Sequence, residues 1–446
     1  MLRLKELRER KADTASLRLR LTRGTIWNLI ATVFNQGSII AVNIVVARII
    51  GKHAFGEYSI VVSTLITVAV LIQLSMGYTV TKYVAEFRSI DMEKTGRVLG
   101  LCSIIAILMA CLGTIVLIPA APLLAVHAMK APQLAIPLMI GLGYLFFSAV
   151  NGYQVGAFVG LEGYRSLAKA AIISGIITVL GIALGAWWLQ LRGALIGLSA
   201  TAMLRCVFHN LWLRRELRKN GLSVIYKGLR QEISIIQSFA LPGALSGYLT
   251  MPAIWLGNTF LIRQQGGFEQ MAIYNAAFTF KMAVMFLPQV VNNVGMSILN
   301  NHKGRGDALM YRKTFWVTLA INACSVILVA LVLFGIGPIA LDLFGKDFGG
   351  AFPVLKILLL AGLIEGIAIS VYQVIQSHGM LWQSFMFVAA PYCMLFVVLA
   401  YYLAPLYGAA GLAVAYSAGW AVNLLATCLL ARKIMSRSHM SQKAGS

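Results

Sequence analysis

Four ionisable side chains lie deep inside apolar stretches of this sequence, where a charge is costly. They are Arg205, Lys281, Lys356 and Glu365. A charged residue at the centre of a bilayer costs about 2.5–3.5 kcal/mol on insertion scales, so it usually faces a wet cavity or a charged partner. The three cations could bind an anionic group, and Glu365 could bind a proton or a sodium ion.

Other polar side chains share helix faces with some of these residues, because successive residues of an α-helix are rotated by about 100°. Lys281 shares a face with Tyr274 and Asn292, Glu365 with Tyr372 and Gln376, and Asn151 with Tyr144 and Ser148. Polar stripes of this kind predict helices that line a wet cavity.

Each buried charge also has a structural interpretation. Lys356 lies near the outer end of its stretch, where a long side chain can reach the interface. Arg205 could bind backbone carbonyl groups. Glu365 is the only acid deep in a span, and it is either a counter-ion of Lys281 or Arg205 or a coupling site for protons or sodium. The sequence leaves these alternatives open.

The stretches that hold these residues are typical of a membrane protein. The chain of 446 residues is 59% hydrophobic and 12% charged, with a mean hydropathy of +0.81. Soluble domains carry about 25% charged residues. Apolar runs of 18 or more residues predict spanning helices, and twelve occur, at 24–47, 55–79, 97–118, 135–159, 168–188, 193–213, 237–262, 271–299, 314–336, 350–377, 384–403 and 408–431.

The basic residues predict the orientation of these twelve spans. Of the 37 Lys and Arg residues, 28 fall on the side of the N-terminus, six on the opposite side and three inside spans. The positive-inside rule therefore places both termini in the cytoplasm. The same bias accounts for the net charge of +22, so we predict no nucleic-acid partner.

Enzymatic and metal chemistry find little support in the sequence. The six cysteines lie within predicted spans and the six histidines are scattered, so neither a metal site nor a disulfide is indicated. No P-loop is present, and no loop is long enough for a catalytic domain. We predict a protein that is not an enzyme and has no cofactor, with proton or sodium coupling as an option.

Three pairs of segments repeat along the chain in the same order. ARIIGKHAFGEYS matches IRQQGGFEQMAIYN, YQVGAFVG matches YQVIQSHG, and GALIGL matches GAAGLA. The first and third pairs have the same offset along the chain, and the second pair differs from it by only four positions. Each repeated unit holds six helices, so the halves insert with the same orientation, and a substrate site is expected between them. The predicted domains are a basic cytoplasmic segment (1–23), a first six-helix bundle (24–213), a cytoplasmic linker (214–236), a second bundle (237–433) and a cytoplasmic tail (434–446).

Several segments resemble the Wzx-type polysaccharide flippases. These are SMGYTVTKYVAEF from Ser75 to Phe87, ARIIGKHAFGEYS, the QGSII region after Asn35 and the GAxxGL entry to the last span. The likeness covers about residues 22–433. The wider superfamily includes MATE drug exporters and the lipid II flippase, but relatives of the lipid II flippase usually have fourteen helices.

The resemblance implies two six-helix bundles related by a pseudo-two-fold axis, a MATE-like fold, around a central cavity. It also implies a flippase of the bacterial inner membrane that moves an undecaprenyl-pyrophosphate-linked oligosaccharide, an O-antigen or exopolysaccharide unit, to the periplasmic leaflet by alternating access. A polysaccharide polymerase and chain-length machinery would be its partners. The alternatives are a cation-coupled MATE-type exporter, a lipid II flippase and, least favoured, a membrane-embedded sugar polymerase or glycosyltransferase.

The predicted substrate site combines cations for the pyrophosphate with amide and phenol groups for the sugars, since charge-assisted hydrogen bonds are strong in a low dielectric. Its candidates are Lys281, Arg205, Arg48, Arg263, Lys82, Asn151, Gln154, Tyr274 and Gln373, with Glu365 as the ion-coupling candidate. Arg48, Lys82 and Arg263 lie at helix ends, where they could guide or gate the substrate. The bundles are expected to rock about the segment from Arg214 to Glu232. We predict that Lys281→Ala abolishes glycan export without preventing membrane insertion.

Overall fold

A computed structural model describes the backbone of residues 2–236, 241–304 and 307–443. Side chains are described for these residues except 2–25, 241–247, 293, 294, 297, 301, 304, 381 and 436–443. The α-helices are Leu2–Gln73, Met76–Phe87, Met92–Leu123, Ala135–Ile140, Leu142–Gly160, Tyr164–Lys219, Leu241–Ile262, Gly267–Val284, Phe286–Gly304, Ala308–Asp342, Ala351–Ser377, Leu381–Ser384 and Ala390–Lys443. No strand occurs in the described part of the chain.

These helices form twelve membrane spans. Seven stretches are long and apolar enough to cross a membrane. Three of them contain a non-helical break, at Gly51, at Leu189 and Gln190, and at Gly408, so each holds two spans. Pro132–Ile140 with Leu142–Gly160, bent by 46°, and Leu241–Ile262 complete the set. The first to twelfth spans are residues 26–50, 52–87, 92–128, 132–160, 164–188, 191–219, 241–262, 267–304, 308–342, 351–377, 381–407 and 409–443.

The number of spans confirms the prediction, but several helix ends differ from it. The sixth-span helix continues to Lys219 and the twelfth-span helix to Lys443, beyond the predicted ends at 213 and 431. Both extensions are rich in Lys and Arg, which have good helix propensity but low hydropathy. A hydropathy criterion therefore stops before the helix does. Residues 237–240, at the predicted start of the seventh span, and the side chain of Pro242 lie outside the described part of the chain.

Breaks in the backbone occur at matching places in the two halves. Gly51 and Gly266 both have a positive φ, of 80° and 67°, and each stands between the first two spans of its half. Glycine adopts this conformation without the steric penalty that other residues incur. The separation of the two glycines along the chain equals the offset of the first repeated segment, so the duplication is visible in the fold.

The third repeated segment needs a correction of its register. A Cβ at Gly193 would overlap the carbonyl oxygen of Gly185, and a Cβ at Gly411 would overlap that of Leu403. Both contacts let the last two spans of a half approach closely. The separation along the chain from Gly193 to Gly411 equals that from Gly185 to Leu403. Gly193 therefore corresponds to Gly411 and not to Gly408, as the sequence match suggested.

The same register pairs the breaks between the last two spans of each half. Gly408 interrupts its helix with φ 57°, and the residue that corresponds to it is Gln190, with φ 51°. The two halves thus turn between these spans with the same left-handed backbone conformation, although only one of them uses glycine there.

The apolar core shows which ends of the halves are joined. One cluster contains residues of both halves, with Phe55 of the second span at ring distances of 5.9 Å from Phe344 and 6.1 Å from Phe348. Two further clusters lie nearer the termini, one with residues of the first half and the other with residues of the second. The halves are therefore packed together at the face opposite the termini and separate at the face that carries the termini.

The linker after the sixth span is packed on the first half. The backbone nitrogen of Ile225 donates to the carbonyl of Gly96 (3.0 Å), and a Cβ at Gly96 or Gly100 would overlap linker carbonyl groups. Arg97 of the third span forms an ion pair with Glu232 (3.1 Å). The part of the linker from Ser223 to Glu232 is thus packed against the third span, whereas rocking of the bundles about the segment from Arg214 to Glu232 stays a prediction.

Candidate functional site

A cavity of about 1140 Å³ lies between the halves, towards the face that carries the termini. Its wall comes mostly from the first, second, fourth, fifth and sixth spans. The second half contributes only Tyr372, Gln376, Trp382 and Phe385 among the described lining residues. Tyr144, Ser148 and Asn151 all line the cavity, as the polar stripe on the fourth span predicted.

Arg205 is the only charged side chain among the described residues that line this cavity. It follows Leu198, Thr201 and Ala202, which line the cavity from the same face of the sixth span at helical spacing. None of the ion pairs in the described part of the chain involves Arg205, and its Nε is buried without a hydrogen-bond partner there. Such a guanidinium can bind an anion.

A hydrogen-bonded network stands beside Arg205. Asn151 Nδ2 contacts Nδ1 of His209 (2.7 Å) and Oε1 of Gln154 (3.1 Å). Gln154 Nε2 donates to the carbonyl of Cys206 (3.0 Å). Nε2 of His209 is buried and has no partner among the described residues. The network connects the fourth span to the sixth and fixes Asn151 at the cavity wall.

Glycines let the fourth span approach its neighbours closely enough to place Asn151. The fourth span carries Gly152, Gly156 and Gly160 at intervals of four residues, so they share one face. A Cβ at Gly156 would overlap the carbonyl oxygen of Gly77 in the second span. Thr81 Oγ1 donates to the carbonyl of Gly156 (3.0 Å), which ties the two spans together at the cavity wall.

The bend in the fourth span is stabilised from the sixth span. Ser199 Oγ donates to the carbonyl of Ile140 (3.0 Å) and accepts from the backbone nitrogen of Tyr144 (3.1 Å). A bend leaves backbone groups without their usual helical partners, and a serine of a neighbouring helix can satisfy them. Ser199 therefore aligns the fourth span, which carries Asn151, with the sixth span, which carries Arg205.

Lys281 does not line the cavity. Its side chain is buried in the second half, where Nζ forms an ion pair with Glu365 and donates to the Tyr416 hydroxyl (2.9 Å). The Tyr416 hydroxyl also donates to Glu365 (2.9 Å). Of the alternatives for Glu365, the structure shows the counter-ion of Lys281. Substrate contact by Lys281 and ion coupling at Glu365 stay predictions.

Arg48 and Arg263 lie at the face opposite the termini, away from the cavity. Arg48 donates to the carbonyls of Leu343 (2.6 Å) and Asp342 (3.0 Å) at the end of the ninth span. Arg263 donates to the carbonyls of Ala128 (2.6 Å) and His127 (3.3 Å) at the end of the third span. Each arginine thus contacts the half to which it does not belong.

The remaining candidates are dispersed. Lys82 is exposed, with Nζ 4.8 Å from the ring centre of Tyr83. Tyr274 and Gln373 are buried in the second half, where Gln373 Nε2 donates to the Asn292 side chain (2.5 Å). Lys356 is exposed, and its Nζ lies 4.6 Å from the ring centre of Phe352. Of the nine substrate candidates, the structure brings together only Arg205, Asn151 and Gln154.

Sequence reasoning missed His209, Tyr416 and the aromatic residues at the cavity mouth. His209 follows Arg205 by one helical turn, so its spacing could have placed it near the site. Tyr78 and Trp382 are 78% and 60% exposed and line the cavity, but their position depends on how distant spans pack. Among the described residues, no group of three or more His, Cys, Asp or Glu side chains could hold a metal ion.

Comparison with known proteins identifies the family. The family model described as "Polysaccharide biosynthesis protein" matches residues 21–298, which is more than half of the chain. The chain belongs to this family. The membership confirms the resemblance to the Wzx-type flippases at the level of the family.

The relatives of this family member include two bacterial export proteins. The EPS I polysaccharide export inner membrane protein EpsE of Ralstonia nicotianae is 23% identical over 442 residues, with 92% of this chain and 93% of that protein covered. The protein of the same description from Ralstonia solanacearum is 21% identical over 440 residues, with the same coverage.

Solved structures confirm the MATE-like fold. A multidrug resistance MATE family transporter of the MOP superfamily, in an inward-facing conformation, has a TM-score of 0.76 at 16% identity, with 94% of this chain and 96% of that chain covered. A MOP superfamily transporter from Pyrococcus furiosus, described as having a binding pocket of reverse polarity, has a TM-score of 0.71 at 17% identity with the same coverage. At these identities the likeness concerns the fold.

Proposed function

We propose that the chain exports a lipid-linked polysaccharide precursor across the bacterial inner membrane by alternating access. The substrate would be an oligosaccharide on undecaprenyl pyrophosphate, which moves from the cytoplasmic to the periplasmic leaflet. Membership of the polysaccharide biosynthesis protein family and the names of the two Ralstonia relatives support the polysaccharide. The lipid carrier is inferred from the resemblance to the Wzx-type flippases, and the direction from the position of the cavity and the distribution of charge.

The single observation that carries this proposal is Arg205, which stands in the wall of a large cavity with no counter-ion among the described residues. A guanidinium forms bidentate hydrogen bonds with phosphate oxygens. Asn35, Asn43, Asn151 and Gln376 line the same cavity and supply amide groups for sugar hydroxyls, while Tyr78 and Trp382 supply aromatic surfaces. We assign the pyrophosphate to Arg205 rather than to Lys281, because Glu365 already neutralises Lys281.

The same observation counts against one form of the cation-coupled MATE-type alternative, an exporter whose substrates are themselves cationic. Such a transporter needs an acidic group near its substrate, whereas no Asp or Glu is found among the described residues that line the cavity. Glu365, the acid that the sequence singled out, is bound to Lys281 and Tyr416 in the second half. An isolated cation attracts anionic substrates and disfavours cationic ones.

The charge distribution gives the proposed direction. The cavity lies at the face that carries the termini, and 28 of the 37 Lys and Arg residues belong to that face in the predicted topology. The positive-inside rule makes this face cytoplasmic. The conformation described here is then open to the cytoplasm, where lipid-linked sugars are assembled.

Arg205→Gln tests the proposal in cells whose own copy of the gene is deleted. We expect surface polysaccharide to fall at least about tenfold, as for loss of a charged hydrogen bond worth about 1.5–3 kcal/mol, and Arg205→Lys to retain part of the export. Arg192→Gln is the matched control, because Arg192 is exposed at the opposite face. Normal export by a well-inserted Arg205→Gln protein would overturn the role of Arg205.

A further inference from the structure

The same short pattern occurs at the end of the first span of each half. Asn43 is followed by Arg48 and Gly51, and Asn258 is followed by Arg263 and Gly266 with the same spacing. One offset along the chain relates all three pairs. The pattern Asn-x4-Arg-x2-Gly is therefore duplicated, and both copies point to the face opposite the termini.

The arginine contacts obey the same offset on both partners. Arg48 binds the carbonyls of residues 342 and 343, whereas Arg263 binds those of residues 127 and 128. The two pairs of acceptors are separated along the chain by as much as the two arginines are. Arg48 therefore contacts the second half in the same way as Arg263 contacts the first half, as two-fold symmetry requires.

The asparagines form a second, deeper layer of contacts between the halves. Asn43 Nδ2 donates to Thr279 of the eighth span (3.0 Å), and Asn258 Nδ2 donates to Ser63 of the second span (2.9 Å). Asn43 also lines the end of the cavity. Together the two layers close the opposite face above the cavity, from its inner end to the outer ends of the third and ninth spans.

The capped helices give the arginine contacts their strength. The last carbonyls of an α-helix lack partners within the helix and carry the negative end of its dipole, so a cation is favoured there. The helical segments of the third and ninth spans end at these acceptors. Since each donor and acceptor belong to different halves, the caps exist only while the halves are together at this face.

From these contacts we infer that the duplicated Asn-x4-Arg-x2-Gly pattern is a reciprocal gate, in which Arg48 and Arg263 hold the face opposite the termini closed. The two arginines act on the conformational equilibrium and do not bind substrate. Opening of this face breaks both arginine contacts and both asparagine contacts. The inference rests on the alternating access of the proposed function.

The test measures which face is open in the absence of any glycan, so an error in the substrate assignment would leave its result unaffected. Two reporters are made in the full chain after replacement of the six native cysteines. Ser59→Cys is buried at the closed face, where the Ser59 hydroxyl accepts from Asn275 of the other half (2.7 Å), so all rates are compared within this background; Ser148→Cys lines the cavity. A membrane-impermeant maleimide is added to right-side-out or inside-out vesicles, and the rate of modification is measured.

Arg48→Gln and Arg263→Gln should each raise the rate at Ser59→Cys about tenfold, and the double variant should multiply the two effects, since the contacts lie at separate sites. The rate at Ser148→Cys should fall in parallel. Arg192→Gln, exposed at the same face without a contact of this kind among the described residues, should change neither rate.

A lowered thermal midpoint with unchanged rates at both reporters would overturn the inference, because it would show helix caps with no effect on access. Arg48→Lys and Arg263→Lys provide variants that keep the charge if the glutamine variants fail to fold. They should give smaller changes in the same direction, and unchanged rates in folded lysine variants would equally contradict the gate.

Discussion

Arg205 and Lys281 give the same signal in the sequence, a cation inside an apolar run, but the structure places them in different surroundings. Lys281 is 2% exposed and bound to Glu365 and Tyr416, whereas Arg205 faces the cavity without a counter-ion among the described residues. The free energy of burying Lys281 is offset by its partners. The charge of Arg205 is available to a ligand.

We expect Lys281→Met to lower the free energy of unfolding by about 3–5 kcal/mol, because it leaves the buried Glu365 without a counter-ion. The double variant Lys281→Met, Glu365→Gln removes both charges and keeps a group that can hydrogen-bond to Tyr416. It should recover most of the lost stability. Thermal unfolding of the purified proteins in detergent measures both.

Export by the double variant then separates a structural role from a functional one. Export close to that of the wild type is expected if the pair only joins the eighth, tenth and twelfth spans. A stable double variant without export would show that Lys281 or Glu365 acts in transport, as the sequence suggested.

For single residues, the sequence identifies the charged side chains that are costly to bury but not the groups that they contact. The helix periodicity correctly grouped Tyr144, Ser148 and Asn151, because one helix determines their common face. The pairing of Lys281 with Tyr416 depends on the packing of spans that are far apart in the chain. No local pattern determines such a contact.

Among the helices, glycine sets how closely neighbours approach. Gly96 and Gly100, one turn apart on the third span, accept the linker between the halves, and Ile225 hydrogen-bonds to the carbonyl of Gly96. The linker from Ser223 to Glu232 is thus packed on the first half.

Gly100→Ala should lower the free energy of unfolding by about 1–3 kcal/mol, the usual cost of overpacking, because the new Cβ overlaps the carbonyl oxygen of Ile225. Gly335→Ala is the matched control. Gly335 lies inside the ninth-span helix with open space around it, so alanine there should be neutral or stabilising by about 0.5–1 kcal/mol.

Limited proteolysis complements the thermal measurement. Displacement of the linker by Gly100→Ala should increase cleavage between residues 220 and 228, whereas Gly335→Ala should not. Equal cleavage and equal unfolding midpoints in the two variants would contradict the docking of the linker.

The number and approximate positions of the helices can be predicted from the sequence, because the bilayer sets the length and apolar composition of a span whatever the packing of the spans. The breaks at Gly51 and at Leu189 and Gln190 lie in loops that the runs predicted, and Gly408 is the first residue of the predicted twelfth span, although the helices at all three breaks are nearly continuous. The docking of the linker could not be predicted, because its packing depends on the surface of the third span. The composition of a basic, polar segment does not indicate whether it will pack on a neighbouring helix.

The molecule as a whole is joined at one face and divided at the other. The apolar cluster shared by both halves and the interhalf hydrogen bonds lie on the side of Phe55, Phe344 and Phe348. A close contact belongs to this closure, since a Cβ at Gly56 would overlap the backbone of Phe268 in the other half. Opening of the cavity to the other side must separate these residues.

Gly56→Ala should therefore shift the molecule towards opening at the face opposite the termini. We expect faster maleimide modification of Ser59→Cys and reduced polysaccharide export. Gly37→Ala is the control, because a Cβ there meets no atom within 4 Å. Unchanged modification in Gly56→Ala would show that the halves adjust to the methyl group while remaining closed.

The orientation of the molecule is tested by fusions at its C-terminus. With 28 of the 37 basic residues on the side of the termini, we expect a fluorescent protein fused there to fold and an alkaline phosphatase to be inactive. An active phosphatase fusion would reverse the assigned direction of transport while leaving the cavity and Arg205 unaffected.

The reciprocal contacts of Arg48 and Arg263 also concern the origin of the chain. An isologous interface forms between identical subunits when every contact is made twice, and these contacts meet that condition within one polypeptide. A single six-helix unit could thus have closed its gate by pairing with a copy of itself. In the corrected register Arg205 corresponds to Asn423, so only one half retains the cavity cation. Fusion of two such units would have allowed one to specialise in holding an anion while both continued to share the gate.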